Sequence, residues 1–185
     1  SRRRHTRYIS VTGVQTCALP IYYQHYAVML YEVLASINWD KNDYLKHTEF
    51  YGVENIQHLM KENRGGVFLG LHLGNWEFAV ATAAAHGVPV DIVVKESKNK
   101  LGQSFLDWYR DRFGIGVFLE TKTVKDIFRS INSGRFVVFI LDQFMGPPIG
   151  VPVPFFGKKA GTAAGLALFC EKRDIPIFPA YNYRN

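Results

Sequence analysis

Apolar residues recur at helical spacing from Tyr22 to about Trp39, where Tyr26, Leu30, Val33, Leu34 and Ile37 predict an amphipathic helix. Asn42-Asp43 can cap a second helix running to about Phe50, and a third is expected from Glu54 to Glu62. Asn63-Arg64-Gly65-Gly66 is a stop signal, after which Val67-Phe68-Leu69-Gly70-Leu71 is a short continuous apolar run. Such a run marks a strand buried on both faces. The pattern then alternates. A helix over Trp76 to Ala85 precedes a strand at Val90 to Val94, and a helix over Lys100 to Phe113 precedes a short strand at Val117 to Leu119. Val124 to Asn132 is helical, and Arg135 to Leu141 is a long apolar strand. Beyond a Pro/Gly-rich loop and the Val151 to Gly157 stretch, a helix from Ala160 to Lys172 and a final strand are expected. Strands alternating with helices of this length predict an α/β fold with a mixed, largely parallel sheet flanked by helices.

Composition supports one packed domain, since 48% of the 185 residues are hydrophobic and 15% aromatic. The net charge of +6 invites a nucleic-acid or anionic-membrane reading until the charges are located. Arg2, Arg3, Arg4 and Arg7 account for all but +2 of it, so the body is only mildly basic. Cys17 and Cys170 are too far apart in sequence for a CxxC metal site, and two thiols make no disulfide framework. Cys170, within Leu166-Ala167-Leu168-Phe169-Cys170, is expected to be a small core residue. No apolar run reaches the roughly 18–20 residues that span a bilayer, and the nearest, Tyr26 to Ile37, is interrupted by Glu32.

Ser1 to about Ile21 follows neither the helical nor the strand period. Ser10-Val11-Thr12-Gly13-Val14-Gln15-Thr16-Cys17-Ala18-Leu19-Pro20-Ile21 resembles a translated sequencing-adapter read-through, so residues 1–21 are expected to be a non-native or disordered leader. At the other end, Asp174 to Tyr181 reads as a helix exit into a strand with no closing element after it. Residues 22–185 are therefore expected to be a domain incomplete at both ends.

In parallel α/β sheets functional groups collect beyond the carboxyl ends of strands. His72 stands at the end of the first strand, and Glu77 falls in the first turn of the next helix. Asn75 can cap that helix, and Gly74 allows a sharp bend into it. The helix dipole favours an ionised Glu77, and a carboxylate beside an imidazole raises the basicity needed to deprotonate a hydroxyl. On spacing alone a His such as His72 is more often a satisfied core or loop residue, and Glu77 can be merely a favourable helix-start charge. A zinc site would need further ligands, and His86 lacks the HExxH spacing.

The context narrows the choice. Gly70-Leu71-His72-Leu73-Gly74-Asn75-Trp76-Glu77 resembles the HxGNWE signature of the bacterial lipid A biosynthesis acyltransferases, a branch of the glycerolipid acyltransferases. Gly52-Val53-Glu54-Asn55 resembles that family's G-x-E segment, and Asp107 to Gly114 its R-x-R-x-G helix end. Asp142-Gln143 resembles its D-Q pair, and Pro154-Phe155-Phe156-Gly157 with Thr162 and Gly165 its F-F-G…T…G run.

The resemblance implies a glycerolipid-acyltransferase-like fold and fatty acyl transfer from an acyl carrier protein or coenzyme A thioester to a glycolipid hydroxyl. In it, His72 is the general base and Glu77 orients it. Asn75, Arg110 or Arg112, Asp142 and Gln143 match other polar site positions, and the alignment does not choose between the two arginines. Phe155, Phe156 and Thr162 are expected to be wall and packing. The resemblance implies no metal or bound cofactor, no nucleic acid, and work at the cytoplasmic face of the bacterial inner membrane. The resemblance leads to the expectation that the family's amino-terminal anchor and carboxy-terminal region lie outside these residues, and Lys158-Lys159 is more basic than the small residues expected there. The rival readings are an acyl thioesterase that activates water, and a non-catalytic module that binds lipid at the membrane surface.

Overall fold

The computed structural model describes residues 12–120 and 124–184. The chain divides into two compact units, the first ending at Asn38 and the second beginning at Trp39. In the first, α1 (Thr12–Ala35) begins upstream of the start its periodicity suggested and contains Pro20, the residue that reads as a break in sequence. Residues 1–11 of the expected leader lie outside the described residues. The anticipated stripe also moves. Among the described residues of this unit Met29, Val33 and Ser36 are buried, while Tyr26, Leu30 and Leu34 are exposed. Apolar residues occur on every side of this helix, so spacing alone could not select the buried face. Among the described residues no helix is long and apolar enough to cross a membrane.

The second unit holds α2 (Lys41–His47), α3 (Glu54–Lys61), β1 (Gly66–Gly70), α4 (Trp76–Ala85), β2 (Val90–Val94), α5 (Lys100–Asp111) and β3 (Gly116–Leu119). These are followed by α6 (Val124–Asn132), β4 (Phe136–Ile140), β5 (Gly150–Phe155), β6 (Lys158–Ala163), α7 (Gly165–Glu171) and β7 (Ile177–Pro179). Five strands form a wholly parallel sheet in the order β3-β2-β4-β1-β7. The antiparallel pair β5-β6 stands apart as its own sheet.

The side-chain period of two along the strands divides the core. Phe68, Phe136, Val138 and Ile92 pack with Ile56 and Leu59 of α3 and Val80 and Ala83 of α4. Val67 and Val137, one step along, pack with Ile127 and Ile131 of α6 and Leu166 and Cys170 of α7. Cys170 is the core residue expected, and burial raises its thiol pKa. Helix α2 is capped by Asp40, whose carboxylate accepts from Asp43 N–H while Asp43 reciprocates, so this helix starts earlier than Asn42-Asp43 suggested. Trp39 and Tyr44 meet Phe78, and Tyr44 also meets Phe113, so rings join α2, α4 and the end of α5. The Tyr44 and Tyr109 hydroxyls hydrogen-bond between α2 and α5.

The expected helix over Ala160–Lys172 begins only at Gly165, and Lys158–Ala163 is a strand. The cause is the turn before it. Phe155 pairs with Lys158, which leaves a two-residue loop with φ 48° at Phe156 and 76° at Gly157. Positive φ at both central residues gives a turn whose twist suits a hairpin, so the small residues after it are drawn into a strand.

One buried charge holds the sheet to its helices. Asp91, on β2 and 3% exposed, accepts hydrogen bonds from Gly116 N–H (2.9 Å), Ser130 Oγ (2.5 Å) and Arg135 Nε (2.8 Å). It thereby joins β3, α6 and the lead into β4. Asp91→Asn keeps the shape but turns an amide N–H₂ towards one of these donors. It is expected to lower stability by about 1–3 kcal/mol, read as a shifted urea midpoint with unchanged slope.

Candidate active site

The β1 carboxyl end and the β4 carboxyl end lie side by side, with Gly70 in register with Ile140. His72 and Asp142 each stand two residues beyond those paired ends, so the strand register carries them to one place. His72 Nδ1 lies 2.5 Å from Asp142 Oδ1, and the His72 backbone N–H donates to Asp142 Oδ2 at 2.8 Å. One carboxylate thus holds both the main chain and the ring of His72. With Asp142 ionised, Nδ1 carries the proton and Nε2 keeps its lone pair as an acceptor. Trp76 meets the imidazole edge-on at 4.7 Å between centroids, which further fixes the ring. The two side chains are 29% and 30% exposed, open enough for a substrate to reach them.

The loop that presents His72 is built from the signature residues. Asn75 caps α4 by accepting from Phe78 N–H at 3.1 Å, as its position suggested. Gly74 has φ 67°, and a Cβ there would come within 1.8 Å of Asn182 Oδ1. Both backbone and neighbour therefore require glycine. Asn182 in turn donates from Nδ2 to the Asn75 carbonyl at 2.5 Å. The sequence held no signal for Asn182, which arrives here from just beyond the last strand.

Glu77 is placed differently from the sequence expectation. Among the described residues no hydrogen bond links it to His72. Its carboxylate receives a forked pair of bonds from Arg110, Nε to Oε2 at 2.9 Å and Nη2 to Oε1 at 2.5 Å. The side chains are 5% and 9% exposed, so α4 and α5 are pinned together by a buried ion pair. Asp107 adds a longer contact to Arg110 at 3.5 Å. Of the two arginines, Arg110 is the one bonded to Glu77. Arg112 turns the other way, donating to the Trp39 carbonyl at 3.0 Å and lying over the Trp108 ring. Gln143 is exposed beside Asp142.

Leu71 and Leu73, on either side of His72 in sequence, are exposed at 44% and 49%. His86 ends α4 against Phe50. Burial, and then Lys41, push its pKa below the ordinary value, which suits a neutral packing residue. Among the described residues no group of three or more His, Cys, Asp or Glu is arranged to hold a metal ion.

A family model described as bacterial lipid A biosynthesis acyltransferase matches residues 21–185. The chain belongs to this family. Among the curated proteins no match is found. Membership in the lipid A biosynthesis acyltransferases implies acyltransferase activity between an acyl donor and a lipid acceptor. It also matches the fold, an α/β unit whose parallel sheet presents the HxGNWE segment at its carboxyl edge.

Proposed function

We propose that His72 is the general base in transfer of a fatty acyl group from a carrier thioester to a hydroxyl of a lipid A precursor or related glycolipid. The carrier is acyl carrier protein or coenzyme A, and the setting is the cytoplasmic face of the bacterial inner membrane. The observation that carries this reading is the His72 Nδ1 contact with Asp142, which leaves Nε2 as the proton acceptor. The acceptor hydroxyl gives its proton to Nε2 as its oxygen bonds to the thioester carbonyl carbon. The tetrahedral oxyanion then collapses, the C–S bond breaks, and the leaving thiolate takes the proton back from the imidazolium. Asp142 stabilises that imidazolium and holds its tautomer, as the acid of a triad does. Glu77 and Arg110 are positioning residues that fix the first turn of α4, and with it the loop carrying His72.

The test is to incubate the protein with radiolabelled acyl thioester and a lipid A precursor. Labelled glycolipid is the expected product, and free fatty acid in its place would assign thioester hydrolysis instead. Asp142→Asn is expected to cut kcat by roughly ten- to a hundredfold with KM changed less, since an amide can present N–H₂ to Nδ1 and favour the wrong tautomer. An unchanged kcat in that variant would remove Asp142 from the mechanism.

A further inference from the structure

The β5-β6 hairpin is rooted next to the site, and among the described residues nothing covers its tip. Met145, three residues after Asp142, donates its N–H to the Gly161 carbonyl at 2.9 Å, which ties β6 to the loop leaving β4. From there the hairpin carries Val151, Val153 and Phe155 on one face of β5, opposite Thr162, Ala160 and Lys158. These three apolar residues are exposed, and Phe156 at the turn is 92% exposed. The Phe155 and Phe156 rings pack edge-on at 4.7 Å, presenting one aromatic wedge. Both phenylalanines, expected from sequence as wall and packing, face outward.

Two features choose the occupant. Between Gln143 and Cys170 the chain contains no Asp or Glu, and its only charges are Lys158 and Lys159, directly behind the aromatic tip. Aromatics at a tip with cations just behind them match the layered chemistry of an anionic bilayer, apolar within and negative at the headgroups. The strand edges also argue against a protein strand. Phe155 and Lys158 flank the two-residue turn as a hydrogen-bonded pair, so the outward positions of β5 are Pro152 and Pro154, which have no N–H to offer. On the other edge the Gly161 carbonyl already accepts from Met145 N–H.

We propose that the β5-β6 hairpin inserts its Phe155-Phe156 tip into an anionic lipid surface, with Lys158 and Lys159 on the headgroups. This deepens the acyl-transfer reading, because the same docking brings the His72–Asp142 end of the sheet to the surface where a glycolipid hydroxyl lies. Vesicle binding needs no turnover, so its failure and the failure of that reading are separately visible.

The test uses the full chain with vesicles of phosphatidylethanolamine and phosphatidylglycerol, against phosphatidylcholine alone. The variant F155S/F156S replaces exposed residues, and its circular dichroism should match the parent. It is expected to bind the anionic vesicles at least about tenfold more weakly, the scale of losing a buried phenylalanine. The variant K158Q/K159Q is expected to lose about fivefold per lysine and most of the preference for anionic lipid. A second readout isolates the tip from any other lipid-binding segment. With Cys17 and Cys170 changed to Ser, Phe156→Cys carrying an environment-sensitive fluorophore should shift to the blue on anionic vesicles. A label that stays in a water-like environment overturns the proposal, as does equal binding by both variants. A blue shift that arises without vesicles and grows with protein concentration also overturns it, because the tip would then be covered by a second copy.

Discussion

His72→Ala is expected to lower kcat for acyl transfer at least about 100-fold while KM changes only a few-fold. The size follows from what general-base removal costs, typically 10²–10⁴-fold, or about 2.7 kcal/mol and upward in the barrier. The split between kcat and KM follows from when the base acts. A general base gains most of its interaction with the hydroxyl proton as that proton moves in the transition state, so its loss removes little ground-state binding. Folding should survive, because the side chain is partly exposed and the backbone N–H at position 72 still donates to Asp142 Oδ2. Asp142 therefore keeps a partner in the variant, and a stability change cannot imitate the kinetic one. Initial rates over a range of acceptor concentrations, with a thermal melt alongside, give the check. Activity within a few-fold of the parent would remove His72 from the reaction.

Arg110→Met is the second large effect, and it is one of stability first. The guanidinium and the Glu77 carboxylate are 5% and 9% exposed, so removing the cation leaves a charge that solvent cannot reach. Breaking such a pair costs about 3–5 kcal/mol, which for a chain of this length lowers Tm by about 6–20 °C. The double variant R110M/E77L removes both charges and is expected to recover most of that loss, since an apolar pair of similar volume needs no partner. Arg110→Lys should fall between. It keeps the charge but not the fork that meets both carboxylate oxygens. Catalysis separates a positioning role from a merely structural one. R110M/E77L, though stable, should still lose kcat, because the first turn of α4 no longer holds the His72 loop in one place. If it regained full kcat along with stability, the pair would serve the fold alone. Calorimetry and the acyl-transfer assay on the same preparations decide the matter.

Much of the fold was legible from local pattern. Val90–Val94 and Val124–Asn132 stand where apolar spacing put them, because buried strands and striped helices write their period into the chain. The failures have local causes. Ala160–Ala164 is small and helix-compatible, yet the turn at Phe156-Gly157 commits it to a hairpin first. The α1 stripe was misassigned because apolar residues surround that helix. Asp91 gave no warning inside an apolar strand, since only the folded sheet shows the donors from Gly116, Ser130 and Arg135.

The site divides the same way. The sequence by itself determined that His72 ends a strand, that Gly74 bends the chain, that Asn75 caps the next helix, and that the family signature is present. All of these are relations within a few residues, set by backbone conformation and capping. Which carboxylate meets the imidazole is not such a relation. Asp142 is 70 positions from His72, and they meet because β1 and β4 are neighbours in a sheet whose strand order is not the chain order. Glu77 is close in sequence, but the helix turns it toward Arg110 on α5, and a buried carboxylate must find a cation. Tertiary structure alone could assign those partners, because long-range pairing follows strand order and burial, which no local spacing encodes.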